Sequence, residues 1–165
     1  MSVTVRRATA ADAEAMGRLA ALLVRLHHEF DPQRFIPASP DTPRGYGRYL
    51  RSQQDEPDVV MLVAERDGAV VGYTYAALEG FDYMALRGPA GALHDIVVDP
   101  AHRGQGVGGL LLEATVSALA ARGAPRVVLS TAERNESAQR LFARSGFRRT
   151  MIEMTREVDD PSGER

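Results

Sequence analysis

The residues with the clearest chemical potential form a glycine-rich turn in the second half of the chain. Residues 103–109 read RGQGVGG, between an apolar run that ends at Val98 and an apolar stretch of helical spacing. Glycines let the backbone approach a ligand closely and adopt positive φ. The N–H groups at the start of the following helix, together with its dipole, favour an anion. The turn therefore predicts a pyrophosphate cradle, to which Arg103 adds a positive charge.

Two other interpretations of this turn stay open. A dinucleotide fingerprint, GxGxxG, requires its glycines directly after the first strand of a βαβ unit. Here the pattern is GxGxGG, and it lies late in the chain after strands that read as an antiparallel hairpin. That context fits a dinucleotide site poorly. The second interpretation is an ordinary glycine-rich turn that binds nothing.

The composition excludes several chemistries. All 20 basic residues of the 165-residue chain are arginine, and the chain has no cysteine and no tryptophan. A disulfide, a thiolate nucleophile and a cysteine zinc site are therefore impossible. A lysine Schiff base and a P-loop lysine are excluded as well. Phosphate binding must use arginine, backbone N–H groups or a helix N-terminus.

Charge and hydropathy narrow the expected partners. The net charge is −2 and the pI is about 6.1, without the basic surplus typical of nucleic-acid-binding proteins. The longest apolar runs fall well short of the roughly 20 residues of a membrane span, and the first residues lack the apolar segment of a signal peptide. We therefore expect a cytoplasmic protein with no nucleic-acid partner and no membrane association.

Hydrophobic periodicity predicts the elements that position the turn. Their order is strand, helix, helix, three strands, helix, strand, helix and strand, as one α/β domain over residues 1–158 with a disordered tail at 159–165. The predicted strands cover 3–7, 59–65, 69–78, 92–98, 126–131 and 147–158. The predicted helices cover 13–28, 44–55, the stretch from the glycine turn to 122, and 136–145.

Two motifs lie in order along these elements. The first is Val98-Asp99-Pro100 followed by Arg103, Gly106 and Gly108. The second comprises Asn135, Ala138, Leu141, Phe142, Gly146 and Phe147. In spacing, order and surrounding elements, the chain resembles the GNAT superfamily of acetyl-CoA-dependent N-acetyltransferases over roughly residues 3–155.

The resemblance implies a fold and a cosubstrate. The fold is α/β with a mixed, mostly antiparallel central sheet, splayed between its fourth and fifth strands and flanked by helices. The pantetheine arm of acetyl-CoA would lie in that splay, and no metal is implied. The cosubstrate contacts carried over are the backbone of Ile96, Val97 and Val98; the turn residues Arg103, Gly104, Gln105, Gly106, Val107, Gly108 and Gly109; and Asn135 and Phe142. Asn135 could instead be only a helix N-cap, and Phe142 only a core residue.

The implied reaction needs a base more than an acid. An amine with a lysine-like pKa near 10.4 is neutral in only about one molecule in 2,500 at pH 7, so deprotonation costs roughly 4.6 kcal/mol. A thiol with a pKa of about 8.5 forms its thiolate at a cost of only about 2 kcal/mol. Many family members have a tyrosine acid where this chain has Phe142. Water or Tyr83 would replace it, or no acid is used.

His94 is the leading candidate for the base. Strand alternation places it on the same face as Ile96 and turns Asp95 to the opposite face, in a structural role. A histidine pKa near 6.5 suits base chemistry at neutral pH. Arylalkylamine acetyltransferases have a similar histidine, paired with a second one where this chain has Ala92. The glutamate base of ribosomal-protein N-terminal acetyltransferases corresponds to Ser130, which is not a base.

Acidic and histidine side chains near the ends of two elements are candidates for the acceptor site. His28 and Glu29 end the first long helix, beside His27 and Asp31, while Glu79 and Asp82 lie in the loop before the fourth strand. Acidic groups there would favour a cationic amine. A metal cluster among the residues at the helix end is the alternative, although we expect no metal.

These observations predict an N-acetyltransferase that moves an acetyl group from acetyl-CoA to a primary amine of a small molecule or a peptide. Direct attack in a ternary complex is expected, because a chain without cysteine cannot form an acyl-cysteine. A catalytically silent acyl-CoA-binding or sensing domain is the main alternative, and a nucleotide-binding module is the third. The protein is expected to be a monomer or a homodimer.

Overall fold

The computed structural model describes residues 2–159 and centres on a five-stranded sheet of order β1-β2-β3-β4-β5. All neighbouring strands are antiparallel except β4 and β5, which are parallel. The strands are β1 Thr4–Arg7, β2 Val59–Arg66, β3 Ala69–Glu79, β4 Ala90–Val98 and β5 Val127–Leu129. The helices are α1 Ala13–Phe30, α2 Thr42–Gln53, α3 Val107–Ala121 and α4 Glu136–Arg144. This architecture confirms the predicted fold class.

Apolar side chains cover both faces of the sheet. On one face, Leu19 of α1 and Leu50 of α2 pack in a buried cluster with Tyr73 of β3. On the other, Leu112 of α3 and Phe142 of α4 pack in a cluster with strand residues. Because side chains alternate along a strand, β2 and β3 serve both clusters with successive residues. The near-continuous apolar composition of these two strands follows from burial on both faces.

The helices α1 and α2 cross closely because two glycines meet at their contact. A Cβ atom added to Gly17 would lie 2.2 Å from the Pro43 carbonyl oxygen, and one added to Gly47 would lie 2.8 Å from that of Ala13. Both distances are shorter than any tolerated carbon contact. The small residues therefore let α2 lie close to α1, and Tyr46 and Tyr49 of α2 reach side chains of the sheet.

A β-bulge interrupts the pairing of β3 with β4. Tyr75 is paired with Asp95 and Ala76 with Leu93, so His94 is the extra residue. A bulge shifts the alternation of side chains by one position. His94 consequently contacts Tyr75 on the same side as Asp95, whereas Ile96 packs toward α3. The expectation that His94 shares a face with Ile96, and that Asp95 faces away from it, is wrong.

The strands β4 and β5 diverge after a short contact. Only residues 91–93 of β4 pair with β5, at residues 127–129. Within the described residues, the same edge of β4 has no strand partner from His94 to Val98. This divergence is the splay that the resemblance implied, and β5 is half-buried and shorter than expected.

The predicted last strand, residues 147–158, does not form. This segment has no regular secondary structure, and the apolar residues in its alternating pattern, such as Ile152 and Met154, are exposed. Ion pairs hold it to the surface instead, between Glu153 and Arg34 and between Arg149 and Glu133. A segment with alternating apolar residues becomes a strand only where the edge of a neighbouring strand is long enough to pair with it. The last strand of this sheet, β5, has only three residues.

The predicted disordered tail lies largely outside the described residues, which end at Asp159. Within the described part, none of the helices has both the length and the apolar character needed to cross a bilayer.

Candidate functional site

The glycine-rich turn has the geometry of an anion cradle. Gly104 and Gly106 have φ values of 70° and 82°, a region that side-chain-bearing residues rarely adopt. Gly106 is the N-cap of α3, and the first helical bond runs from the Leu110 N–H to the Gly106 carbonyl. The preceding N–H groups of α3 therefore have no partner within the helix. A Cβ atom at Gly104, Gly106 or Gly109 would meet nothing within 4 Å, so the space in front of the turn is open.

Two arginines add positive charge beside this turn. Arg103 donates from Nε to the Val98 carbonyl oxygen at 3.2 Å. Arg66, at the end of β2, reaches across with one terminal nitrogen 3.0 Å from His102 Nδ1 and also donates to the Gln105 side chain. The first turn of α3 holds no acidic residue that would repel an anion or compete with it for these N–H groups. Arg66 was not predicted from the sequence, because it lies 37 positions before Arg103; only the antiparallel pairing of β2 and β3 could have indicated it.

The other predicted cosubstrate contacts lie near this turn. Ile96, Val97 and Val98 occupy the part of β4 that β5 leaves unpaired. Asn135 caps α4, its Oδ1 accepting the Ala138 N–H at 3.2 Å. Phe142 is buried in the cluster on the α3 side, with its ring 6.0 Å from that of Phe147. Both of these residues thus have a structural role, and their ligand contacts stay predictions.

His94 and Glu79 form a pair at the bulge. His94 Nε2 lies 3.2 Å from Glu79 Oε1, and the imidazole is 42% exposed. The other oxygen of Glu79 accepts a hydrogen bond from Arg87 at 2.6 Å. The same guanidinium lies 3.9 Å from a carboxylate oxygen of Asp82. The structure therefore brings together three residues that the sequence nominated separately, and Arg87, which it did not.

Asp95 lies beside His94 as a buried carboxylate. The hydroxyl groups of Tyr46 and Tyr73 both donate to it, at 2.8 Å to Oδ2. Burial raises the pKa of Asp95 above its ordinary value, against the opposing effect of these two hydrogen bonds. Burial and the neighbouring carboxylate raise the pKa values of both tyrosines as well, so the hydroxyls stay protonated donors.

Aromatic rings continue from Asp95 toward the surface. Tyr49 of α2 makes edge contacts with Tyr46 and Tyr75, at centroid distances of 6.4 and 6.1 Å. The ring of Tyr75 lies 5.1 Å from that of His94. We call Tyr46, Tyr49, Tyr73 and Tyr75 the tyrosine cluster. It contains four of the five tyrosines of the chain. This cluster was not predicted from the sequence, because two of its members come from α2, whose distance from β3 is set by the glycine contact with α1.

The remaining candidates lie apart from His94. Tyr83 is 75% exposed and stacks on Phe81 in the β3–β4 loop. The ring of His28 donates from Nδ1 to the Phe35 carbonyl oxygen at 2.8 Å, and Glu29 is exposed at the end of α1. Among residues 2–159, no three histidine or acidic side chains gather into a group that could hold a metal ion.

Comparisons with known proteins agree with this geometry. The model of the acetyltransferase (GNAT) family matches residues 23–147. Over 112 residues, 64% of its length, the chain is 35% identical to the mycothiol acetyltransferase of Thermobispora bispora. The chain spans about a third of the length (36%) of that relative.

Two solved structures share the fold. The tetramutant of the BH1408 protein from Bacillus halodurans superposes with a TM-score of 0.82 at 22% identity, covering 94% of this chain and 99% of that one. A predicted acetyltransferase from Clostridium acetobutylicum, solved with acetyl-CoA, superposes with a TM-score of 0.72 at 17% identity, covering 93% and 96%.

Proposed function

Since this chain belongs to the GNAT acetyltransferase family, we propose that it transfers the acetyl group of acetyl-CoA directly to a primary amine. One observation carries the proposal: an open glycine-rich turn adjoins an unpaired strand edge, and that strand carries an exposed imidazole paired with a carboxylate. The matched relative is named an acetyltransferase, and a protein of the same fold was solved with acetyl-CoA.

The residues of the turn and of β4 fit an acyl-CoA. The free N–H groups at the start of α3, with Arg66 and Arg103, suit a pyrophosphate, because backbone donors and arginine bind phosphate oxygens well. Arg66 Nε is buried and has no hydrogen-bond partner within the described residues. The unpaired β4 edge from His94 to Val98 offers backbone donors and acceptors to an extended pantetheine chain. When bound, acetyl-CoA supplies an acetyl group activated as a thioester.

His94 serves as the base in this proposal. Its Nε2–H donates to Glu79, which leaves Nδ1 with the lone pair that can accept a proton. Glu79 fixes that tautomer and stabilises the imidazolium that forms. General-base catalysis of this kind contributes about 10²–10⁴-fold. It addresses the largest cost of the reaction, deprotonation of the acceptor amine.

The leaving group needs less help. Departure of a thiolate costs only about 2 kcal/mol at pH 7, so the proposal requires no acid from the protein. Tyr83 is the one side chain that the sequence nominated for that role. It lies exposed on the β3–β4 loop, and Tyr83→Phe should retain activity.

Acetyl transfer to a panel of amines, followed by release of free CoA thiol, tests the proposed function. The wild type should turn over at least one amine, and His94→Gln should lower kcat/KM by about 10²-fold or more with acetyl-CoA affinity unchanged. Loss of one ionisation from the pH profile of kcat/KM should accompany the substitution. Binding of acetyl-CoA without turnover of any amine would instead favour a silent acyl-CoA-binding domain, and tighter binding of ATP or NAD would favour a nucleotide-binding module.

A further inference from the structure

Resting on the proposed function, we infer that the surface formed by Tyr49, Tyr75, His94 and Glu79 is the acceptor subsite, and that it selects amines carrying a second positive charge. We call this surface the acceptor face. Diamines, polyamines and amines with a quaternary ammonium group belong to this substrate class.

The members of the acceptor face are arranged to be reached from solvent. Tyr49 is 50% exposed, and the side chains of His94 and Glu79 are 42% and 37% exposed. Tyr75 is buried between them, with its hydroxyl 3.4 Å from that of Tyr49. Packing of the core requires Tyr73 and Tyr75, which are buried. The exposed ring of Tyr49 contributes little to the core and is free to contact a ligand.

The charges around the acceptor face favour a cation. Glu79, Asp82 and Asp95 carry three negative charges, and Arg87 offsets one of them through its bond to Glu79. Asp95 accepts hydrogen bonds from two tyrosine hydroxyls, which are neutral donors, while His94 and His27 lie near enough to interact with its charge. The aromatic faces add the negative potential of their quadrupoles, which attracts ammonium groups. Carboxylates behind and beside an exposed tyrosine therefore suit an organic cation.

A second charged group is a steadier target for recognition than the attacking nitrogen. That nitrogen must lose its proton before it attacks, and it regains positive charge only as the C–N bond forms. A second ammonium group keeps its charge from the free substrate through the transition state, so the surrounding carboxylates and aromatic rings favour it throughout. The ring of Tyr75 lies 5.1 Å from that of His94 and 6.1 Å from that of Tyr49, so an acceptor that reaches from His94 to Tyr49 carries its second group several bonds away from the attacking nitrogen.

Acceptors matched in length test this inference. We would compare 1,4-diaminobutane, 4-amino-1-butanol and 4-aminobutanoate as substrates of the wild type, Tyr49→Leu and Tyr49→Phe. The diamine should have the highest kcat/KM and the amino acid the lowest. Tyr49→Leu should lower kcat/KM for the diamine about 3- to 10-fold, mainly through KM, because a partly exposed cation–π contact has that magnitude. Tyr49→Phe should retain most of it, and the loss in Tyr49→Leu should be smaller for 4-amino-1-butanol than for the diamine.

Phe81→Leu is the matched control, because Phe81 is another exposed aromatic residue and lies on the neighbouring loop. It should leave the order of the three acceptors unchanged. Equal kcat/KM values for the three acceptors, or equal losses for all three in Tyr49→Leu, would overturn the inference while leaving the proposed function standing.

A binding measurement makes the test independent of turnover. Because the chain lacks tryptophan, its intrinsic emission comes from five tyrosines, four of them in the tyrosine cluster. Titration of the wild type with (3-aminopropyl)trimethylammonium should change this emission until it saturates. The concentration at half-saturation should be at least 3-fold higher for Tyr49→Leu. No saturable change in the wild type would overturn the inference. Absence of transfer to every amine despite saturable cation binding would overturn the proposed function alone.

Discussion

Asp12 and Asp95 are buried to almost the same extent, yet folding shifts their pKa values in opposite directions. Their exposures are 5% and 6%. Asp12 accepts two hydrogen bonds from the Arg6 guanidinium, at 2.8 and 2.9 Å, and another from the Thr9 N–H at 2.7 Å. The bonds from Arg6 hold the pKa of Asp12 below its ordinary value. Asp95 accepts hydrogen bonds from two tyrosine hydroxyls, and burial raises its pKa against the opposing effects of these bonds and of the nearby His94 and His27.

Asp12 is therefore a structural carboxylate whose charge is paired, whereas Asp95 is a carboxylate whose hydrogen-bond donors are neutral and that lies beside His94. An ion pair with further hydrogen bonds compensates the loss of hydration, and breaking such a pair is costly. Asp12 thereby ties β1 to the start of α1, while Arg6 also binds Glu65 of β2. Neutral donors satisfy the hydrogen bonds of Asp95 without cancelling its charge. Its field therefore reaches the neighbouring His94 and the acceptor face.

The largest expected effect comes from removing the structural carboxylate. Asp12→Ala should lower the free energy of unfolding by about 3 kcal/mol, because it leaves the Thr9 N–H and part of Arg6 without partners. This loss is smaller than that expected for a fully buried ion pair, because the Arg6 side chain is over a third exposed and retains its ion pair with Glu65. Denaturant unfolding measures it. Activity at 25 °C should be unchanged, and a loss of kcat/KM in the folded variant would contradict the assignment of Asp12 to structure alone.

Asp95→Asn should show the converse pattern. The amide retains the shape and can accept from the tyrosines, so the free energy of unfolding at pH 7 should change by less than about 1 kcal/mol. Removal of the charge should lower kcat/KM for a diamine about 10-fold, the equivalent of about 1.4 kcal/mol, with little effect on 4-amino-1-butanol. Steady-state kinetics with both acceptors measures this difference. Equal loss for both would mean that Asp95 acts only by holding the bulge.

Tyr46→Phe should weaken the link between α2 and Asp95. One hydroxyl donor is lost from a buried carboxylate, which should cost about 1 kcal/mol of unfolding free energy. Tyr83→Phe removes an exposed hydroxyl and is the matched control, with a change within about 0.5 kcal/mol. A Tyr46→Phe variant as stable as that control would show that α2 is held by packing alone.

The pH dependence of stability should differ in sign between the two carboxylates. The pKa of Asp12 is lowered by folding, so its contribution is present above the ordinary aspartate pKa near 3.9 and is lost as pH falls through the folded value. The pKa of Asp95 is raised, so its contribution is present below about 3.9 and is lost as pH rises through the folded value. Relative to wild type, Asp12→Asn should therefore be least destabilised in acid, whereas Asp95→Asn should gain relative stability as pH rises above 4. Urea unfolding between pH 3 and 7 measures both, and parallel curves would contradict the comparison.

Local signals predicted much of the fold and part of the site. The glycine pattern placed the turn before α3, and the alternation and helical periodicity located every element except the last strand. His94 was nominated from its position on the fourth strand, and Glu79 from its predicted position in the loop before that strand. The predicted last strand was wrong because residues 147–158 have the alternation of a strand but pair with no strand of the sheet, whose last member, β5, has only three residues. Arg66 and the tyrosine cluster were missed because their neighbours come from distant parts of the chain.

The amino-acid composition limits the possible chemistry: phosphate binding must use backbone N–H groups and arginine rather than lysine, and an acyl-cysteine cannot form. The sequence also indicates membership of the family, since its two spaced motifs are local patterns. Which side chains meet at β4, in contrast, follows from the packing of the folded chain. One inserted residue, His94, turns both His94 and Asp95 toward α2, and two facing glycines let α2 come close enough for its tyrosines to reach them. Such contacts depend on strand register and helix distance, which are set by packing of the whole core.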